Sequence, residues 1–545
     1  MAKNKEKQRL KKQTNTEKEQ QYLSFLTRGY VLFVLAVYPL VVGSSGYDNI
    51  IDVKSHTYWA VTLVFLFVFM LFYLSYRIGL GKSADGVKWY KKLNLVDWAF
   101  IAFFIVITIS SILSPYAETW LGRRGRNDGW LTMFCMMACY FPVSRWYRPK
   151  QLDFSIFAIG SGILCTIGYL QFYGYDFLNL FPYNRPPYAD SEGNSFYSGF
   201  SIAFRSTIGN VNFLSMYVCL AILAFAVLYI KTKGPLRFLY FAACIMNFLL
   251  MLIGGSDGGK VGVLGAMILM LPYFLCERKS AGRTFFLSGG FGVSYVLHHW
   301  NMIYNIIPRW GDDAPIHDIA MRNHYSMLPL QPIVILSLAS IAAGAAILLI
   351  KWWPKQKAAK FAGLAVMLIF IAGGLLGVEI VGRNLPPTNR IYEAREVMHG
   401  RMEDNFGSKR GYIWRKSLET LPNQPLLGTG QDTFLYALGW EFQEEALELH
   451  GVVYDKAHND FIQILFSNGI FGLMAYLSLI TGLIIYSMKP AYHDAFLLMA
   501  FAAVIAYIGQ SLFGIDSIVV TPLFWLMIAI VRNRQIASSN GETAS

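Results

Sequence analysis

Apolar runs long enough to cross a bilayer recur along this chain from end to end, and that pattern leaves few folds open to it. A helix must keep about 20 consecutive apolar residues to traverse about 30 Å of hydrocarbon, closing its backbone hydrogen bonds within itself. Such runs fall near 28–46, 58–78, 95–113, 129–144, 153–172, 212–230, 236–254, 261–276, 285–300, 330–350, 360–380, 460–487, 494–513 and 518–531. The composition agrees: 55% of residues are hydrophobic and 15% charged, with mean hydropathy +0.40, far from a soluble globular balance. The expected fold is an all-α polytopic membrane protein of about 14 transmembrane helices (12–14), with one large helical extracytoplasmic loop.

Basic turns orient the spans. The tail "MAKNKEKQRLKK" belongs on the cytoplasmic side, and every second turn thereafter is basic: "KWYKK" (88–92), "RWYRPK" (145–150), "KTKGPLR" (231–237), "CERKSAGR" (276–283) and "KWWPKQK" (351–357). Both termini are therefore expected in the cytoplasm. The first span has full length, follows a polar segment and lacks a small-residue cleavage site, which reads as an anchor rather than a cleaved signal. The net charge of +13 serves orientation and attraction to an anionic leaflet, and no nucleic-acid module accompanies it. Cys135, Cys139, Cys165, Cys219, Cys244 and Cys276 lie in or beside spans without metal spacing and read as small hydrophobes.

The resulting organisation is a basic tail (1–27), a first bundle (28–381) with outer loops near 173–211 and 301–329, a large outer loop (382–459), closing spans (460–532) and a second cytoplasmic tail (533–545). A structureless loop as long as 382–459 is uncommon unless functional. Its first part carries Arg383, Arg390, Arg395, Arg401, Lys409, Arg410, Arg415 and Lys416 against Glu393, Glu396, Glu403 and Asp404. Residues 419–455 carry only acids, and "LPNQPLLGTG" (421–430) breaks the chain between the two parts. Helical spacing of Ile413, Leu418 and Leu421 suggests helices lying on the outer membrane surface.

Arginines outside the membrane run against the charge rule. Besides the loop set, "GRRGRND" (122–128), Arg185, Arg205, Arg309 and Arg322 all project outward in this topology. Guanidinium forks match phosphate oxygens bidentately, so a diphosphate at the outer interface is a suitable guest. The plainer alternative is snorkelling to lipid phosphates or pairing with neighbouring acids. In "KAHNDFIQILFSNGIFG" (456–472), His458, Asn459 and Asp460 crowd the lip of an apolar helix, where Asn and Asp are also good N-caps.

"RGYIWRKSLETLPNQPLLGTGQDTF" (410–434) followed by "KAHNDFIQILFSNGIFGL" (456–473) resembles the signature region of the bacterial O-antigen ligase and polymerase superfamily. The shared pattern is an Arg, a Trp on a helix, a "PLLGxG" turn, and a His-Asn heading a span that ends in "xxGxxG". "FRSTIGNVNFLSMYV" (204–218) is similar to a second motif of the same family. The resemblance implies a multispanning C-type glycosyltransferase, inverting and without a metal or other cofactor. Its donor would be a glycan on undecaprenyl diphosphate at the outer leaflet, passed to a hydroxyl on a glycan, lipid or protein; membrane lipids surround it. By motif position, Arg205 and Arg410 would bind the diphosphate, with Arg415 and Asn210 beside them. His458 would take the acceptor proton, its ordinary pKa being the nearest to neutrality. Asn459 would position the acceptor or cap the helix, and Asp460 would hold the imidazole or cap. Where many members carry an Arg in an "SRGG"-like turn, this chain has "GGSDGGKVG" (254–262). Lys260 would supply the missing charge there, or pair with Asp257 at i,i+3.

Other chemistries find little support. Asp312 with Asp313, and Asp190 with Glu192, are short acidic pairs that read as solvated rather than metal-binding, and His298 and His299 beside Trp300 read as interface anchors. A flippase or exporter of lipid-linked sugars is the competing class, but transporters place ionisable groups inside spans and show internal repetition. Here the polar chemistry gathers on one outer loop.

Overall fold

The computed structural model describes residues 20–80, 93–173, 175–180, 206–254, 256–306 and 330–541, all of them helix or connecting turn. Nine helices are long and apolar enough to cross a membrane among the described residues, beginning with Gln20–Leu40 and ending with Asp460–Ser487. The protein is a polytopic helical membrane protein, but five of the fourteen expected spans do not meet that standard. The run near 129–144 is split into Trp130–Ala138 and Tyr140–Trp146. Pro142 lacks an amide and its ring opposes the carbonyl four residues back, that of Ala138, where the helix stops. Asp257–Phe274 and Arg278–Asn301 begin with charged turns, and Ala495–Ser511 has 17 residues. Thr521–Ser539 runs past the expected boundary at 532 with Arg532, Asn533, Arg534 and Gln535 buried.

Val211–Lys231 is the central post. Nearly every residue on it is buried, around its whole circumference, against Leu236–Gly254, Asp257–Phe274 and Ala495–Ser511. Leu330–Leu349 and Gln356–Gly382 pack on the outside, against Arg278–Asn301 and Asp257–Phe274. All six cysteines are free and buried.

Polar contacts sort to two ends of the bundle. At the end carrying the basic turns, Asp97 is buried between Arg532 (2.6 Å) and Arg145 (2.8 Å), Arg534 pairs with Asp494 (2.7 Å), and Arg28 with Asp153 (2.6 Å). Every one of these cations meets a carboxylate. The other end carries the large loop.

That loop is fastened to the bundle by main-chain bonds. Inside Asp460–Ser487 the helix breaks at Gly469, whose φ of +64° favours glycine and whose Cβ position lies 2.2 Å from the Leu426 carbonyl carbon. The break frees carbonyls and amides that must find partners. "PLLGTG" supplies them: Thr429 N–H donates to Phe466 O (3.1 Å) and Gly430 N–H to Ser467 O (2.9 Å). In return Ile470 N–H donates to Pro425 O (2.9 Å) and Phe471 N–H to Leu426 O (3.3 Å). The two motifs thus form one interlocked joint.

The expected apolar stripe of Ile413, Leu418 and Leu421 does not share one environment. Leu418 is exposed, while Tyr412 and Ile413 pack with Phe434, Leu438, Phe442, Tyr454, Ala457 and Phe466 into a core of the loop's own. The short helices Phe434–Ala437 and Trp440–His450 close that core over the head of Asp460–Ser487.

Candidate active site

Arg410 is set by an unusual turn. Gly407, Ser408 and Lys409 all adopt left-handed conformations (φ +60°, +62° and +72°), and regular helix begins only at Arg410. Consecutive left-handed residues are costly for anything but glycine, so the surroundings must hold them. Gly407 N–H donates to Glu393 (3.2 Å), Lys409 N–H to Asn405 O (3.2 Å), and the Arg390 guanidinium to Ser408 Oγ (2.5 Å). Gly411 has Glu403 O 2.1 Å from its Cβ position, so the "RG" pair admits no side chain there. Arg410 turns back to donate from Nη1 to Gly407 O, and its Nε is buried without a partner.

The pairing of the loop cations singles out this residue. Arg383 and Arg395 contact Glu379; Arg390 contacts Glu393 and Asp257; Arg401 contacts Glu396; Arg415 contacts Asp404 and Glu419. Among the described arginines of the loop, Arg410 alone forms no ion pair. Burial, and next the proximity of Arg390, lower its proton affinity. Asp257 and Glu393 draw on its charge from beyond ion-pair distance, and a partly desolvated cation without a direct partner favours an incoming anion.

His458 faces it. The imidazole is pulled down to about pKa 4, first by burial and then by Arg410, against the opposing pull of Asp455. At neutral pH the ring is therefore uncharged and has a lone pair to accept a proton. Its backbone is held at φ +54°, in the left-handed region that is uncommon for a side-chain-bearing residue. Both flanks are pinned: Ala457 O accepts from Trp414 Nε1 (2.9 Å), Ala457 N–H donates to Gln463 (3.0 Å), and Asn459 Oδ1 accepts from the amides of Phe461 (2.9 Å) and Ile462 (3.2 Å). The Trp of "RGYIW" thus fixes the residue preceding the histidine.

A charged collar surrounds these two. Asp455 binds both Arg123 and Arg126, whose charges outweigh burial and hold its carboxyl below the usual range. Lys456 donates to Asp128 (2.5 Å) and Asp516 O (2.8 Å); burial lowers its pKa, but Asp128 and Asp432 more than offset this. Burial lifts Asp432 to about 6 and raises Asp516. The "GRRGRND" segment is thereby tied to "DKAHND", and its Arg123 and Arg126 are neutralised rather than open to a ligand. Asp455 was not foreseen as part of the site; its nearness to the Lys-Ala-His run was the one available signal.

The remaining expected residues fare unequally. Arg205 lies outside the described residues, as do Arg185, Arg309, Arg322 and the acidic pairs at 190–192 and 312–313. Arg415 is half-exposed and doubly paired, which leaves it little charge to offer. Lys260 pairs with Asp257 (3.1 Å), the neutralising alternative. Asn210 caps its helix by accepting from Asn212 N–H (2.8 Å), as Asn459 caps its own. Asp460 is buried with Oδ1 unpartnered, so it is not a simple cap. His298 and His299 are buried, so interface anchoring describes only the half-exposed Trp300. No group of three or more His, Cys, Asp or Glu residues able to hold a metal occurs among the described residues.

Residues 334–477 match a family described as O-antigen ligase. The matched stretch takes in Leu330–Leu349 from residue 334 on, Gln356–Gly382, the whole large loop and the head of Asp460–Ser487. It therefore contains both Arg410 and His458. No match is found among curated proteins.

Proposed function

Taking the chain as a member of the O-antigen ligase superfamily, we propose that it transfers a glycan from an undecaprenyl diphosphate carrier to an acceptor hydroxyl at the outer face of the cytoplasmic membrane. The observation that carries this reading is the combination of Arg410, a partly buried guanidinium in no direct ion pair and with Nε unpartnered, and His458, an uncharged imidazole close enough to feel its charge.

The leaving diphosphate gains negative charge as the bond to the anomeric carbon lengthens. A fixed guanidinium stabilises that charge without any proton transfer, and does so most where water is excluded. The acceptor hydroxyl must lose its proton as it attacks from the opposite face, which inverts the anomeric centre. His458 takes that proton on a ring nitrogen. Burial is the main cause of the depressed imidazole and Arg410 the next; arrival of the diphosphate against Arg410 cancels that second contribution, so the base strengthens when the donor is bound. Asp455 then faces a protonated ring and stabilises it. In this scheme the loop lies outside the membrane, with the basic turns and both termini in the cytoplasm.

Purified protein, lipid-linked oligosaccharide and candidate acceptors, assayed for glycan transfer in chelator, test the reading. Wild type should transfer to one acceptor class, and His458→Ala should lose about 10²–10⁴-fold in kcat. Unaltered transfer by His458→Ala, or none by wild type with any acceptor, defeats the proposal.

A further inference from the structure

Against the interlocked joint lies a pocket of about 170 Å³ with no charged residue in its lining. That is roughly the bulk of six waters, comparable to one sugar ring. Its floor is Phe466, and its walls carry Tyr116, Thr420, Asn423, Gln424 and Thr429. Several of these groups are held in place by neighbours. Ser114 Oγ donates to Thr429 O (2.6 Å) and so ties the Tyr116 segment to the joint. The Tyr116 ring stacks on Tyr436 (centroids 5.9 Å, interplanar angle 23°), which fixes its plane. Thr429 N–H is held by Phe466 O. Asn423 and Gln424 lie in the "LPNQP" turn and are exposed to solvent.

Fixed aromatic surface combined with amide and hydroxyl groups, and without formal charge, is the chemistry that recognises an uncharged sugar. The ring's apolar C–H face lies on an aromatic while its hydroxyls bond to amides. Position supports the same ligand. Phe466 stands eight residues beyond His458 along the chain, or about two helical turns and on the order of 10 Å, within reach of the sugars next to the reacting one. The wall of the pocket is also the joint that holds the signature turn, so a sugar seated here is fixed relative to His458. We propose that this pocket is a subsite for one uncharged sugar of the glycan chain, away from the bond that is made or broken. The inference rests on the transferase reading for the identity of the glycan.

Asn423→Cys offers a test independent of catalysis, because the six native cysteines are buried and a hydrophilic maleimide will report on position 423. The probe is the oligosaccharide released by mild acid from the lipid-linked glycans of the parent cells. At saturation it should slow labelling several-fold, whereas inorganic pyrophosphate should not. In transfer assays, Tyr116→Ala and Gln424→Ala should each lower the ratio of kcat/KM for long over single-unit donors by about tenfold, the value of one lost ring or amide contact. Labelling unaffected by oligosaccharide, protection by pyrophosphate instead, or an unchanged length ratio in both variants overturns the subsite. If wild type transfers nothing while oligosaccharide still protects position 423 of the Asn423→Cys variant, the transferase reading fails and the subsite stands. If transfer proceeds and protection is absent, the reverse holds.

Discussion

One cation separates the two ends of the bundle. At the basic-turn end, Arg145 and Arg532 converge on Asp97 (2.8 and 2.6 Å), and Arg534 meets Asp494 (2.7 Å). At the loop end, Lys456 is likewise paired with Asp128 (2.5 Å), but Arg410, partly buried near an uncharged histidine, forms no ion pair. A fully paired buried cluster is a finished structure, since breaking it strands a charge and nothing is gained by adding a ligand. An unpaired one is unfinished, and its counter-ion must come from outside. The contrast teaches how to separate structural from functional arginines in a chain that has many of both.

Removing a charge from each end should have opposite effects. Asp97→Ala strands two guanidinium groups and should cost about 3–5 kcal/mol of stability, read as lost monodisperse protein or a lowered unfolding midpoint. Arg410→Met removes an uncompensated charge, so stability should hold or rise while transfer falls by about 10²–10³-fold. If Arg410→Met destabilises as Asp97→Ala does, the distinction between the ends collapses. The next largest effect belongs to the joint: Gly469→Ala forces a Cβ against the Leu426 backbone at a positive φ, and should cost roughly 1–3 kcal/mol together with a marked loss of transfer. Full activity in that variant would mean that the joint does not position the site.

The pH dependence sharpens the loop end. His458 has a folded pKa of about 4 against about 6.5 in an unfolded chain. The unfolded state therefore binds the proton first as pH falls. This group's contribution to stability is constant above about pH 6.5, declines as pH drops toward 4, and is constant again below. The acid limb of kcat/KM should lie near pH 4 in the free enzyme and that of kcat should lie higher, because bound diphosphate screens Arg410. Coincident limbs would show that the ligand does not sit between the two. The smallest effect is expected at Arg415, whose exposed pairs with Asp404 and Glu419 contribute less than about 1 kcal/mol; Arg415→Ala should change transfer by no more than a few-fold.

Sequence alone reached the helical membrane fold and the resemblance that the match over residues 334–477 repeats, because apolar run length and motif spacing are local signals. Motif position also pointed to His458 and to Arg410 ahead of Arg415, but gave no physical reason for ranking the two arginines. Their difference lies in whether acids such as Asp404, eleven residues from Arg415, fold back to meet the guanidinium. The joint was hidden for a related reason. "PLLGTG" and "SNGIFG" were visible as motifs, yet their union is made by backbone groups that carry no side-chain signature. Likewise, Asn459 offered both capping and positioning in the sequence and is observed to cap, while Asn210, expected beside the diphosphate, also caps its helix. Helical spacing shows that a face is apolar without saying what covers it; here the loop's second part covers Ile413.

The central claim is that Arg410 awaits a diphosphate. Undecaprenyl diphosphate added to purified protein in lipid nanodiscs should raise the unfolding midpoint of wild type and of Arg415→Met equally, since a ligand that binds only the native state stabilises it by mass action. Arg410→Met should show no such rise. A shift of full size in Arg410→Met would contradict the account.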